Sequence, residues 1–156
     1  MDYRQQLSFW IGLPSLVLVC FLLVPTAVQA GDVFVIGGTE EQKRMVTCIA
    51  EASVNELRAR ANSDQPTTFV ILEHQKFLQT RGAFHAYRTK LAFSNLAIGR
   101  IYLSSRVFRD SATAFWCIPH ELGHFVCQSG FEGPAELAAE RIRWRTRQKC
   151  GSFFNS

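Results

Sequence analysis

Residues 117–140 read C-I-P-H-E-L-G-H-F-V-C-Q-S-G-F-E-G-P-A-E-L-A-A-E, and this stretch decides the fold of the chain. Asp110 offers an N-cap before it, which predicts one helix that continues to about Gln128. Ser129-Gly130 ends that helix, because glycine suits the left-handed C′ position. Gly133-Pro134 then begins a second helix, since proline is tolerated in a first turn. The stretch therefore predicts two helices joined by a short turn.

Shorter elements precede this helical pair. Thr39 is a good N-cap with acidic residues after it, and apolar residues at helical spacing follow. Runs of β-branched and aromatic residues predict strands. The predicted order is strand Val33–Ile36, a helix to about Ala61, strands Thr67–Glu73, Ala83–Phe93 and Gly99–Ser105, and the two C-terminal helices. This order is that of a single α+β domain.

The first thirty residues do not belong to that domain. Arg4 lies in a polar start, Ile11–Leu23 is an apolar run, and Val28-Gln29-Ala30 matches the cleavage pattern of a signal peptidase. We predict a cleaved secretory signal over residues 1–30 and a domain over residues 31–156. The protein is then secreted or periplasmic and meets a membrane only during export. An uncleaved anchor is the alternative, although the apolar run is short for a full span.

The formal net charge of +4 is carried partly by a basic C-terminal segment. Arg141, Arg143, Arg145 and Arg147 alternate with uncharged residues, which fits a solvated helix face or a strand. Arginine beside tryptophan is also found in proteins that bind nucleic acid or anionic surfaces. For an exported chain we favour the solvated helix face, and we expect no nucleic-acid partner.

The motif H-E-L-G-H carries the chemistry. On a helix, His120 and His124 are four residues apart and share one face, so that their imidazoles can bind one zinc ion. Glu121 follows the first histidine, where its carboxylate can act as the general base on a zinc-activated water. Two ordinary histidines are the alternative interpretation of so short a motif. The pattern nevertheless favours a zinc site.

Glu136 and Glu140 extend this motif, because they place acids at i and i+4 on the second helix with small residues between them. Here the sequence resembles the gluzincin metallopeptidases, the thermolysin-like group. The resemblance implies a minimal zincin-like domain with a small mixed or antiparallel sheet, one N-terminal helix and a C-terminal pair of metal-ligand helices. It implies that Glu136 is the third zinc ligand and that Glu140 orients the first histidine from the second coordination shell. The short gap after His124 leaves Glu140 or Glu132 as alternative ligands.

The same resemblance places the strand Gly99–Ser105 at the edge of the substrate cleft, where an extended peptide can add to it. Ile101, Tyr102 and Leu103 would then line the site. An ordinary core strand is an equal alternative. The candidates for stabilising an oxyanion are His74, His85, Tyr87 and Tyr102, which the sequence does not rank.

Four cysteines remain after the signal, which carries Cys20. An even number in an exported chain suggests two disulfides. Cys117 and Cys127 are about 15 Å apart on one helix, so they cannot pair with each other. In an antiparallel helical hairpin, Cys117 lies level with Cys150. The preferred pairing is therefore Cys117–Cys150 with Cys48–Cys127.

These observations lead to one functional expectation and two alternatives. We expect an exported zinc-dependent metallopeptidase that hydrolyses peptide or protein substrates, with Glu121 as the base. The first alternative is a non-catalytic zincin-like module of the cell envelope that binds zinc or a partner. The second is a basic protein that binds an anionic surface or nucleic acid.

Overall fold

The computed structural model describes residues 33–59, 66–82 and 91–153. These residues form a small α+β domain, as the sequence predicts. Its strands are β1 (Val33–Ile36), β2 (Thr67–Leu72), β3 (Ala92–Asn95) and β4 (Arg100–Ser104). Its helices are α1 (Glu40–Ala52), α2 (Val54–Ala59), α3 (His74–Gly82), α4 (Ser111–Cys127) and α5 (Glu132–Cys150).

The four strands form one mixed sheet in the order β1-β2-β4-β3. β1 and β4 both run parallel to β2, whereas β3 runs antiparallel to β4 with Ala92 opposite Leu103. Parallel neighbours need crossover connections. The pair α1–α2 supplies the first crossover, and the segment containing α3 and β3 supplies the second. Among the described residues, β3 is therefore an edge strand and β4 is internal.

The sheet has an apolar surface on each face, because side chains alternate along a strand. Phe69, Ile101 and Leu103 face the larger core, which they share with apolar residues of α1, α4 and α5. Phe93 and Tyr102 face the other side and pack with Phe77 of α3. The sheet thus separates a large core, beside which the C-terminal helices lie, from a small aromatic cluster.

The N-terminal helical region differs from its prediction. Thr39 and Gln42 form a capping box at the start of α1, as the sequence suggests. The helix stops at Ala52, because the backbone of Ser53 leaves the helical conformation (φ −101°, ψ 6°), while its hydroxyl donates to the carbonyl oxygen of Ile49 at 2.7 Å. A single N-terminal helix to about Ala61 is therefore wrong.

Two further boundaries differ from the sequence prediction. The structure adds α3, which the sequence pattern did not reveal. The predicted strand Ala83–Phe93 is represented by β3 from Ala92 onward, and its residues 83–90 lie outside the described residues.

The helical pair α4–α5 forms as predicted, with small changes at the turn. Asp110 caps α4, and the helix continues through Pro119. It ends at Cys127, and its C-cap Gln128 takes the left-handed conformation (φ 51°) that was expected of Gly130. α5 then begins at Glu132, so the turn keeps its predicted length and lies one residue earlier in the chain.

The predicted disulfide pairing is wrong. The structure contains Cys48–Cys150, with the two Cα atoms 6.0 Å apart, and the thiols of Cys117 and Cys127 are free. The predicted bonds Cys117–Cys150 and Cys48–Cys127 do not form, because α1 packs against the C-terminal part of α5 and places Cys48 beside Cys150. Cys117 faces a pocket instead of the end of α5.

The predicted signal, residues 1–30, lies outside the described residues. Within the part of the chain that the structure describes, no helix combines the length and apolar character needed to cross a membrane.

Candidate metal centre

His120 and His124 point their Nε2 atoms at each other across one face of α4, 3.3 Å apart. Each ring is held by its other nitrogen. Nδ1 of His124 lies 2.8 Å from the backbone oxygen of Ser129, and Nδ1 of His120 lies 3.0 Å from Oε2 of Glu136. These outer contacts fix the orientation of both rings, which is how proteins commonly prepare histidines to bind a metal.

A third ligand atom comes from Glu132, the first residue of α5. Its Oε2 lies 3.1 Å from Nε2 of His120 and 3.5 Å from Nε2 of His124. Together with the separation of the two nitrogens, the three sides of this triangle measure 3.1, 3.3 and 3.5 Å. Tetrahedral ligands about 2.0–2.2 Å from zinc are separated by roughly 3.3–3.6 Å. Two sides of the triangle lie in this range and the third is slightly shorter, so the triangle is close to the size that a tetrahedral zinc ion requires.

The protonation of the rings supports the same conclusion. The carbonyl of Ser129 can only accept, so Nδ1 of His124 must carry the proton. The ionised carboxylate of Glu136 requires a proton on Nδ1 of His120 in the same way. In the neutral rings, both Nε2 atoms therefore present lone pairs toward an oxygen of Glu132. Three acceptors that converge on one point fit a cation, so the donor set suits zinc.

Glu136 has a second partner that controls its charge. Arg143 donates from Nη1 to Oε1 and from Nη2 to Oε2 of the carboxylate, the latter at 3.3 Å. The hydrogen bond from Arg143, together with the contact with His120, lowers the pKa of Glu136 from its ordinary 4.5 to about 2. Glu136 is therefore ionised at neutral pH and is held between a guanidinium and an imidazole.

Glu121 is buried beside the histidines, with only 4% of its surface exposed. The hydroxyl of Ser94, on the edge strand β3, donates to Oε2 of Glu121 at 2.8 Å and lies 2.9 Å from the backbone oxygen of the same residue. This contact fixes the plane of the carboxylate. The strand thereby positions the candidate base.

A pocket of about 380 Å³ opens on this side of α4. It places His120 and Glu121 on one surface with apolar side chains from β3 and the preceding turn. Its walls are formed by Leu91, Ala92, Trp116, Cys117, His120, Glu121, Glu136 and Arg143. A small molecule or a side chain can therefore reach the candidate base and the first histidine together.

Cys117 lines the pocket as a thiol that is protonated at neutral pH. Burial raises the pKa of its thiol above the ordinary 9.0, and the nearby carboxylate of Glu121 raises it further. Metals bind the thiolate rather than the thiol. The pocket therefore presents Cys117 as a small apolar group.

The structure brings His120 and His124 together as predicted, with Glu121 lining the same pocket as His120, but it assigns the acids differently. Glu132, rather than Glu136, meets the two Nε2 atoms. Glu136 occupies the position at Nδ1 of His120 that was expected of Glu140. Glu140 itself is exposed and borders a groove on the outer side of α5.

The packing of α5 against α4 causes this exchange of roles. It places Glu132, the first residue of α5, at both Nε2 atoms, and Glu136, one turn later, at Nδ1 of His120. The predicted assignment was instead carried over from the gluzincin motif, in which the glutamate at the position of Glu136 is the ligand.

The other predicted site residues lie elsewhere. Ile101, Tyr102 and Leu103 are buried in the sheet, so the interpretation of this segment as an ordinary core strand is correct. The candidate oxyanion residues are not brought to the site. Tyr102 stacks on Phe93 across the sheet from α4, and His74 contacts the hydroxyl of Ser104 at 2.9 Å. His85 and Tyr87 lie outside the described residues.

Ser94 and Arg143 are the site residues that sequence reasoning missed. Ser94 comes from a strand that the pattern placed too early, and no local signal marks it. Arg143 did carry a signal, because it falls within the apolar stripe of α5, four residues after Ala139 and three before Thr146. A charge on the buried face of a helix indicates a paired, often functional, group.

Comparison of the chain with protein families, with curated proteins and with solved structures gives no significant match. The function is therefore inferred from the residues and their geometry.

Proposed function

We propose that this chain is an exported zinc-dependent hydrolase of peptide bonds. The observation that carries the proposal is the triangle of two imidazole nitrogens and one carboxylate oxygen, which is close to the dimensions of a tetrahedral zinc site and lies on the same helix pair as a buried glutamate. His120, His124 and Glu132 hold the metal in this proposal. Three protein ligands leave one position open, as catalytic zinc sites do.

The chemistry divides between the metal and the protein. When bound, zinc acts as a Lewis acid that polarises a carbonyl and increases the acidity of water. Glu121 accepts the proton from the attacking water and returns it to the leaving amine. Ser94 keeps the carboxylate in one orientation through its hydroxyl. Glu136 and Ser129 keep the two imidazoles in the tautomer that offers Nε2 to the metal.

The edge strand supports a peptide as the substrate. Ser104 donates its backbone N–H to the oxygen of Leu91, so the alternation of an antiparallel pair directs the backbone groups of Ala92 and Ser94 away from β4. Among the described residues, β3 pairs only with β4. An extended peptide can add to this edge and pass the pocket that contains Glu121. The Cys48–Cys150 disulfide is consistent with the proposed export.

The decisive experiment compares the wild type with Glu121→Gln. We expect one zinc per chain in both proteins by metal analysis. Digestion of a peptide library should be about 10²- to 10⁴-fold slower in the variant, because the base is lost while the ligands remain. Glu140→Gln is the matched control, since this acid is exposed on the same helical pair and should change neither quantity.

Two outcomes would contradict the proposal. A folded wild type without stoichiometric zinc excludes the metal site. Equal hydrolysis by wild type and Glu121→Gln excludes the mechanism. A wild type that binds zinc and leaves every peptide intact supports the non-catalytic module instead.

A further inference from the structure

Arg143 is unusual among the arginines of α5, because only 7% of its surface is exposed. Its neighbours Arg141 and Arg147 are exposed. A buried guanidinium costs free energy unless it is well paired. The contacts of the Arg143 guanidinium show how this cost is offset.

The guanidinium of Arg143 is held on several sides. Its two Nη atoms reach the two oxygens of Glu136, and Nη2 also lies 3.5 Å from the backbone oxygen of Trp116. The plane stacks on the indole of Trp116, with its central carbon 4.0 Å from the ring centroid. Because Trp116 belongs to α4 and Arg143 to α5, the guanidinium is fixed against both helices.

Glu136 is an alternative ligand that this arrangement restrains. It lies one helical turn after Glu132, and both carboxylates contact the same ring of His120, on Nδ1 and Nε2 respectively. The side chain of Glu136 is 43% exposed, so packing alone does not hold it. The two contacts from Arg143 keep its oxygens directed away from the three converging ligand atoms.

We propose that Arg143 is a positioning residue that determines which acid binds the metal. By holding Glu136 on Nδ1 of His120, it reserves the third coordination position for Glu132. This inference rests on the proposed zinc site. Without Arg143, the carboxylate of Glu136 is released and competes with Glu132 for the metal.

The test is a double-mutant cycle in zinc affinity, measured by competition with a chromophoric chelator. The four proteins are wild type, Arg143→Gln, Glu132→Gln and the double variant. Arg143→Gln alone should bind zinc about tenfold more weakly, because the outer contact that orients His120 is loosened. The loss caused by Glu132→Gln should be about tenfold smaller in the Arg143→Gln background, since Glu136 then replaces the missing ligand.

A second readout separates positioning from general destabilisation. The visible absorption spectrum of the Co²⁺-loaded protein reports the ligand set, and it should change in Arg143→Gln. Arg141→Gln is the matched control, because this arginine is exposed two residues away and should leave affinity and spectrum unchanged. If Arg143→Gln does not fold, Arg143→Lys serves instead, since lysine keeps the charge but cannot hold both carboxylate oxygens in a planar fork.

The outcomes distinguish this inference from the proposed function. A wild type that binds no zinc overturns both. A wild type that binds zinc, with an equal loss from Glu132→Gln in both backgrounds and an unchanged cobalt spectrum, overturns the role of Arg143 alone.

Discussion

At the scale of single residues, Gly123 shows how closely the two candidate ligand helices approach. It lies on α4 next to His124 and faces the backbone of α5. A Cβ atom at this position would lie 2.2 Å from the backbone oxygen of Ala135 and 3.2 Å from the backbone nitrogen of Ala139. Backbone atoms cannot rotate away, so any side chain here requires the helices to separate.

We predict that Gly123→Ala destabilises the protein by about 1–2 kcal/mol. Alanine improves helix propensity by about 1 kcal/mol, but overpacking an interface costs about 1–3 kcal/mol, and a 2.2 Å approach to backbone lies at the upper end. The displacement of α5 should also weaken zinc binding, because Glu132 moves with it. Thermal unfolding and chelator competition measure the two effects.

Gly133→Ala is the matched control on the partner helix. No atom lies within 4 Å of a Cβ at this position, so only the propensity gain of up to about 1 kcal/mol remains. Stabilisation by both substitutions would show that the two helices are farther apart than described.

At the scale of elements, the helix α4 begins with a side-chain N-cap, Asp110. The side chain of Asp110 accepts from the backbone N–H of Thr113 at 2.6 Å and from the hydroxyl of Thr113 at 2.8 Å. The N–H hydrogen bond is the main cause that lowers the pKa of Asp110 below its ordinary 3.8. A lowered pKa in the folded state means that the ionised cap stabilises the helix above pH 3.8, and that this contribution is lost as the pH falls toward the folded-state pKa.

We predict that Asp110→Asn makes the stability of the protein less dependent on pH. Asparagine can still accept the N–H of Thr113, but it has no charge to complement the helix dipole. The wild type should be the more stable protein at pH 7, and the difference should shrink as the pH falls below 3.8. Urea unfolding at pH values from neutral down to about 3 measures this. Asp110→Ala should be less stable than both proteins at pH 7. If the difference in stability between wild type and Asp110→Asn grows in acid, the proposed role of the cap is contradicted.

At the scale of the whole molecule, the Cys48–Cys150 bond joins the first helix to the last. The two cysteines are 102 residues apart, so the bond encloses nearly the whole described domain. Two ion pairs also join α5 to the N-terminal helices, Lys149 with Glu51 at 2.9 Å and Arg145 with Glu56 at 2.6 Å. The disulfide thus ties the end of the candidate ligand helix α5 to the N-terminal half of the fold.

We predict that loss of this bond destabilises the domain by about 4–5 kcal/mol, from the chain entropy that a loop of this length restores to the unfolded state. Such a loss is comparable to the full stability of many small domains. Thermal unfolding of Cys48→Ser/Cys150→Ser should therefore show a large fall in Tm, and a reductant should lower the Tm of the wild type but not that of this double variant. Cys117→Ser should keep the sensitivity to reductant. A non-reduced peptide map that joins Cys117 to Cys150 would refute the bond described here.

The local features of the domain could be predicted from the sequence. The α+β class, the α4–α5 pair and the shared face of His120 and His124 follow from residue periodicity, caps and turn signals. These features depend on neighbours within a few residues, and helix geometry is the same in any fold. The pattern also predicted strands close to β1, β2 and β4, because β-branched and aromatic runs favour strands, but it left open whether Gly99–Ser105 is a core strand or the edge of a cleft.

The tertiary structure alone decided which groups meet across elements. It placed Glu132 at the imidazoles and Glu136 at Arg143, it paired Cys48 with Cys150, and it put Ser94 of an edge strand against Glu121. One helical turn is only about 5.4 Å long, so a displacement of α5 along α4 by one turn would exchange one glutamate for the other. The turn and the close contact at Gly123 set that register. The register depends on the packing of many residues together, and no short motif encodes it.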